Sequence, residues 1–241
     1  MKLDIPNYLK MNILNSIKNG SILLGLFISI IPSIAITYSI LELNGPFTIS
    51  HVAHFFCIFG IVVPVIIASS MFLKDFHFKT ISIFYTSFEN RISYFISNII
   101  LAGIVGCIFG VTGSLLLNLL SSIGVEGEIS IFHSFEFILN FIFCIVFYGL
   151  FAYVLALLFE KSSIVYIILI LGIEILPNLL ESIRAAVDNR VINSLIDNFP
   201  FYSLLIYLPT GNLTITQYVN LAVGIVVLFG LGAYLTSKKN V

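Results

Sequence analysis

Long apolar runs broken by short polar stretches dominate this chain. The runs cover residues 21–41, 51–73, 92–120, 137–159, 164–180 and 216–235. Most of them match the roughly 20 helical residues that cross a hydrocarbon core. A segment in lipid must satisfy its own backbone hydrogen bonds, so these runs predict helices. The short alternating segments of a β-barrel are not visible. The pattern predicts an all-α membrane protein with six transmembrane helices, forming a single domain over residues 1–241.

Finer periodicities refine this frame. Before the first run, Leu9, Ile13 and Ile17 share a helical face, with Lys10 at its edge and Lys18 on the far side. That is the pattern of an interfacial N-terminal helix over residues 1–20, and Pro6 suits its first turn. Pro32 and Pro64 fall inside the first two spans and predict kinks. Gly103, Gly106, Gly110 and Gly113 form one stripe along the third span, which lets a neighbouring helix approach closely. The spacing leaves open whether that neighbour belongs to the same chain. Residues 181–215 are not a polar linker. Val191, Ile192, Leu195 and Ile196 repeat at helical spacing, and a second apolar patch lies between Pro200 and Pro209. This segment predicts short helices dipping into the outer leaflet, between the fifth and sixth spans.

Charge orients the bundle. With both termini, the polar stretch 74–91 and the turn at Glu160 placed inside, nine Lys and Arg residues lie inside: Lys2, Lys10, Lys18, Lys74, Lys79, Arg91, Lys161, Lys238 and Lys239. Only Arg184 and Arg190 fall outside. The positive-inside rule therefore predicts cytoplasmic termini, with Glu126 and Glu128 in an outside loop. A chain that is 59% hydrophobic and 10% charged, with a mean hydropathy of +1.10, has no room for a soluble domain. The lack of a basic patch argues against nucleic acid. Cys57, Cys107 and Cys144 all sit in apolar runs and read as packing residues. The first run exceeds a signal-peptide core and lacks a cleavage site, so it reads as a retained span. Heavy use of Ile, Asn, Lys and Phe without Trp suggests an AT-rich bacterial gene. The expected location is the bacterial cytoplasmic (cell) membrane, multi-pass.

Few residues promise chemistry. Glu174 is the only carboxylate, Lys or Arg well inside a span, where charge costs at least about 2.5 kcal/mol. Asn178 and Glu181 follow at i+4 and i+7, with Pro177 between, so a polar stripe climbs outward beside a helix breaker. It reads as a substrate path or outer gate, or else as a hydrogen-bonded packing residue. His51 and His54 lie one turn apart near Cys57, without the further ligands a metal site needs. No protease, esterase or nucleotide-binding motif is present, so the chain is not expected to be an enzyme.

The most distinctive stretch is Lys74 to Arg91, KDFHFKTISIFYTSFENR, a charged island between the second and third spans. It resembles the corresponding segment of ABC-2-type permeases, which reads roughly Glu-x-x-x-Gly-Thr, then apolar residues, then Pro-x-x-Arg. Asp75 stands at the acid, Thr80 at the Thr, Ile81, Ile83, Phe84 and Tyr85 at the apolar positions and Arg91 at the Arg; Lys79 replaces the Gly and Phe88 the Pro. The family's interfacial first helix, six spans and external helices before the last span also have counterparts, so the resemblance covers the full length. In length and general look it is most similar to small peptide-exporter permeases of the lantibiotic-immunity and phenol-soluble-modulin type.

This resemblance implies the permease subunit of an ATP-driven exporter of amphipathic or antimicrobial-type peptides. It implies a separate cytoplasmic ABC ATPase that binds ATP and Mg, and a second permease copy or sister permease. The island would be the coupling segment. Phe76, Ile83, Phe84 and Phe88 would anchor it in a groove or on the membrane, while Lys74, Asp75, Lys79, Glu89 and Arg91 steer docking. The alternative is a non-pumping membrane immunity or sensor protein that binds such peptides.

Overall fold

The computed structural model describes residues 3–43, 45–127, 131–159, 161–209 and 213–239, with no side-chain description for 131–133. Lys2, Glu128 and Glu160, all used in orienting the chain, lie outside the described residues. Among those described there is no strand. The helices are α1 (Ile5–Lys18), α2 (Ser21–Leu43), α3 (Ile49–His77), α4 (Ile81–Phe84), α5 (Phe88–Ser122), α6 (Ile131–Phe159), α7 (Ser162–Ile170), α8 (Leu176–Ala186), α9 (Arg190–Asp197), α10 (Pro200–Tyr207) and α11 (Ile215–Lys238). A π-helical turn, Leu171–Ile175, joins α7 to α8. Six helices are long and apolar enough to cross a membrane: α2, α3, α5, α6, the composite Ser162–Ala186 and α11.

Local chemistry sets the helix ends. The Asp4 side chain accepts from the Asn7 N–H to start α1, with Pro6 in the first turn. Thr48 and His51 form a capping box at α3, and Thr214 and Gln217 one at α11. His51 is therefore a capping residue. The helices overrun the apolar runs, because a helix continues until a cap or breaker stops it. Thus α3 carries on through Lys74, Asp75 and Phe76, and the chain leaves helical geometry at Lys79, whose φ is 55°. Ser87, accepting from the Asn90 N–H, starts α5 ahead of Glu89 and Arg91. The island shrinks to a connection over residues 78–87 with α4 in its middle, and the fifth span runs to Ala186, not 180.

The centre of the bundle is α3, α5 and α6. The glycine stripe answers the question that its spacing left open: its neighbour is α6 of the same chain. A methyl group at Gly106 would lie 3.0 Å from Cα of Ile142, and one at Gly110 3.1 Å from Cα of Ile138. Gly103 is looser, with Val146 at 3.7 Å, while at Gly113 an added methyl would strike the Phe56 ring of α3 at 2.5 Å. Phe56, Phe137 and Phe141 fill the space where α3 meets α6. Against this core α2 packs on α3, α11 lies along α6 and α5, and the fifth span leans on α6 and α3. The outer faces of α2, the fifth span and α11 leave rows of large aliphatic side chains exposed, as a lipid-facing surface requires.

The two ends differ. α1, the island, the start of α7 and the end of α11 gather at one end. There Lys74 Nζ donates to Asn12 Oδ1 at 2.9 Å and Ser162 Oγ to the Leu73 carbonyl at 3.2 Å. At the other end, α8, α9 and α10 are tied together by an ion pair from Arg184 Nε to Asp197 Oδ1 at 2.9 Å and by Tyr207 donating to the same oxygen. Gln217, at the start of α11, donates to the Asp197 carbonyl, whereas a methyl at Gly224 would lie 3.7 Å from the Pro200 ring. Gly224 is about 10 Å further along the α11 axis than Gln217 at 1.5 Å per residue. The chain between Asp197 and Pro200 therefore plunges into the bundle. Phe201 wedges among Phe147, Tyr148 and Phe151 of α6, and α10 then climbs back to bring Tyr207 to Asp197. The short helices predicted between the fifth and sixth spans are present, and α9 and α10 form a hairpin against the bundle.

Candidate functional site

Two places in the fold gather the residues singled out by sequence. The first is the base of the island. Asp75 is buried at the end of α3, where one carboxylate oxygen accepts from Tyr94 Oη at 2.8 Å and the other from Thr80 Oγ1 at 3.1 Å. Tyr94, on α5, is fully buried. Its ring stacks on Phe84 at 4.9 Å, and Tyr8 of α1 meets both rings edge-on at 5.6 Å. Tyr85 is buried too and shares a 3.0 Å hydrogen bond with Tyr153 of α6. Burial pushes the Tyr8 and Tyr85 hydroxyls above the usual phenol range, so both remain neutral.

Arg91 extends the network to the last span. Its Nη1 donates to the Lys239 carbonyl at 2.8 Å and the Ser237 carbonyl at 3.3 Å, and its Nε to the Tyr85 carbonyl at 3.3 Å. These are contacts to the orphan carbonyls at the C-terminus of α11, where a cation is favoured. Lys239 in turn donates to the Leu157 carbonyl of α6. Four of the sequence-predicted docking residues are thus tied internally: Asp75 and Arg91 as connectors, Lys74 to α1, Phe84 in an aromatic stack. Phe76 is buried, its ring 6.2 Å from that of Tyr153. Thr80 closes onto Asp75. Lys79, Glu89 and Phe88 lie at the surface, and Phe78, Ile83 and Phe88 expose 71%, 68% and 63% of their area.

The sequence reading missed Tyr8, Tyr94, Tyr153 and Asn12. Only Tyr94 had a signal, and a faint one: it lies in a cluster of polar side chains at the start of the third span, Ser93, Tyr94, Ser97 and Asn98.

The second place is a chamber near the opposite end, between α3, the π-helical turn and α10. Its lining includes His54, Cys57, Glu174, Pro177, Asn178 and Leu205. The π turn has a local cause. Pro177 lacks the N–H that would close on the Ile173 carbonyl. The turn before it loosens, and Leu176 N–H donates to the Leu171 carbonyl five residues back. Such turns recur at functional sites. Asn178 Nδ2 donates to the Glu174 carbonyl, a further bond across the weakened turn. Glu181 does not line this chamber. It accepts from Tyr202 of α10 and pairs with Arg184 at 3.6 Å, so its place is in the cluster that ties α8, α9 and α10 together. His54, set aside on sequence as an interfacial residue, shares the chamber with Glu174.

Neither the protein-family models nor the curated proteins give a match to this chain. The functional reading therefore rests on the residues themselves. At the island, polar contacts and stacked rings join α1, α3, α4, α5, α6 and α11 beneath an exposed apolar tip. Among the described residues no group of three or more His, Cys, Asp or Glu side chains is placed to hold a metal ion.

Proposed function

We propose that this chain is the membrane-spanning permease subunit of an ATP-driven exporter of the ABC-2 type, working with a separate cytoplasmic ATPase and a second permease, and moving amphipathic or antimicrobial-type peptides. The observation that carries this reading is the build of the island: a short helix-bearing connection with an apolar tip outside and a hydrogen-bonded base inside. A docking element needs apolar side chains free to be buried by a partner. A force-transmitting element also needs a rigid base, and buried polar networks that are fully satisfied provide one. Phe78, Ile83 and Phe88 supply the first, and Asp75, Tyr94, Tyr85 and Arg91 the second. A push on α4 would reach α3 and α5 directly, α6 through the Tyr85–Tyr153 bond and α11 through Arg91.

The test is co-purification with a candidate ABC ATPase. Ile83→Ser combined with Phe88→Ser is expected to leave the permease in the membrane and to weaken ATPase retention at least tenfold. These side chains make little contact within the chain, so folding is spared. Undiminished retention and transport would remove the island from the docking role. Peptide capture by the chain without any ATPase requirement would favour an immunity or sensor protein instead.

This reading places the island end in the cytoplasm, as the charge balance between the two ends requires. In a background without the native cysteines, a cysteine at Lys79 is expected to resist a membrane-impermeant thiol reagent in intact cells, and one at Glu126 to react. The reverse pattern would invert the orientation.

A further inference from the structure

The chamber at the π-helical turn has a chemical bias that its lining makes explicit. Two of its polar side chains, Glu174 and Asn178, offer acceptors. Glu174 brings a carboxylate, and among the described residues that carboxylate has neither a hydrogen-bond donor nor a Lys or Arg partner. Asn178 spends its Nδ2 on the Glu174 carbonyl, which leaves Oδ1 as an acceptor. His54 adds an imidazole, whose ring nitrogens donate or accept according to tautomer. The basic residues of this end are engaged or elsewhere: Arg184 binds Asp197 and Glu181, and Arg190 lines a separate surface hollow by α9. The remaining walls are hydrocarbon, with Ile58 and Ile61 from α3, Ile173 from the π turn and Leu205 from α10. An unpaired carboxylate at membrane depth is costly, and such residues face a cavity or find a partner.

We propose that this chamber binds a hydrophobic ammonium group, an amine of the kind carried by a lysine side chain or a peptide N-terminus, with its alkyl portion along Ile58 and Leu205. An ammonium has three donors and no acceptor, which suits the Glu174 carboxylate and the Asn178 amide oxygen. Its charge meets that of Glu174, which the chain leaves exposed and without a Lys or Arg partner among the described residues. The hydrocarbon walls favour an alkyl chain over a hydrated inorganic cation. The assignment of this group to an exported peptide rests on the proposed exporter function; the binding chemistry does not.

The experiment uses the full chain in lipid nanodiscs without any ATPase, so that it reads the site independently of transport. The probe is an alkylammonium carrying a photoreactive diazirine on its chain, compared with the same chain ending in an alcohol. Saturable labelling is expected at residues of α3 and α10 that line the chamber, displaced by decylammonium and not by decanol. Glu174→Gln is expected to weaken labelling at least tenfold, about 1.4 kcal/mol. Ile58→Trp, which fills the chamber from a partly exposed position, should abolish it. Glu181→Gln, which alters a carboxylate in the cluster that ties α8, α9 and α10, should leave labelling unchanged. Equal labelling by the amine and the alcohol, or undiminished labelling of Glu174→Gln, would overturn the proposal. Specific labelling by a chain that shows no ATP-driven efflux would uphold the site and count against the exporter.

Discussion

Gly106→Leu combined with Gly110→Leu is expected to remove the folded protein. At both positions the first atom of any side chain already lies about 3 Å from α6 backbone: Ile142 Cα and the Phe141 carbonyl for Gly106, Ile138 Cα and its carbonyl for Gly110. A backbone cannot turn aside as a flexible side chain does, so α5 and α6 must separate along their length. Overpacking in a close-packed interior costs about 1–3 kcal/mol per site, and two sites on one seam act together. Leucine has the better helix propensity, by roughly 1 kcal/mol per position, so the helix itself gains and only the packing loses. The measurement is monodisperse recovery from detergent extracts together with the thermal midpoint. Gly230→Leu is the control, because nothing lies within 4 Å of a side chain there. Gly103→Ala should be tolerated too, its nearest neighbour being a Val146 methyl at 3.7 Å. If the double variant matches the Gly230 variant, the α5–α6 seam is not what holds the bundle.

The second large effect concerns the base of the island. Asp75→Ala would leave the Tyr94 hydroxyl buried without its acceptor and release Thr80, at a cost of about 1–3 kcal/mol for the orphaned group. That energy is local to residues 75–94, so the six spans should still assemble. What should fail is rigidity: amide hydrogens over residues 78–87 are expected to exchange at least tenfold faster, and peptide-stimulated ATP hydrolysis to fall by a similar factor while ATPase retention persists. Tyr94→Phe should reproduce part of this by removing the hydroxyl and keeping the ring stacked on Phe84. In a double-mutant cycle Asp75→Asn and Tyr94→Phe should couple by about 1 kcal/mol. Additive effects would mean that the hydrogen bond does not carry the role assigned to it. Loss of ATPase retention with unchanged exchange would move Asp75 from the base of the island to its docking surface.

The difference between the Asp75 variant and the Ile83/Phe88 variant follows from burial, which the sequence does not display. Asp75 and Lys79 both look like surface charges in KDFHFKTISIFYTSFENR. Only the structure separates them, because α3 runs one turn past its apolar run and carries Asp75 in under Tyr94. Phe84 and Phe88 likewise read as equivalent anchors. One stacks on Tyr94 and Tyr8, and the other stands at the surface at the start of α5. The polar stripe of Glu174, Asn178 and Glu181 was drawn at α-helical spacing. In the structure Glu174 and Asn178 line the chamber, while Glu181, almost a turn further along α8, is held by Tyr202 and Arg184.

The sequence by itself determined the helical character, the six helices able to span a membrane, the short helices between the last two and the existence of a close-packing glycine stripe. All follow from one-dimensional rules: in lipid the backbone must bond to itself, so a long apolar run admits only a helix, and residue spacing fixes which side chains share a face. What the stripe packs against, which charges are buried and which polar groups meet were decided by the tertiary structure alone. Those contacts join residues far apart in the chain, Asn12 with Lys74, Asp75 with Tyr94 and Arg91 with Lys239. A uniformly apolar helix gives no amphipathic stripe to say which face turns inward, so its rotation is set by shape, by glycine against backbone and ring against ring.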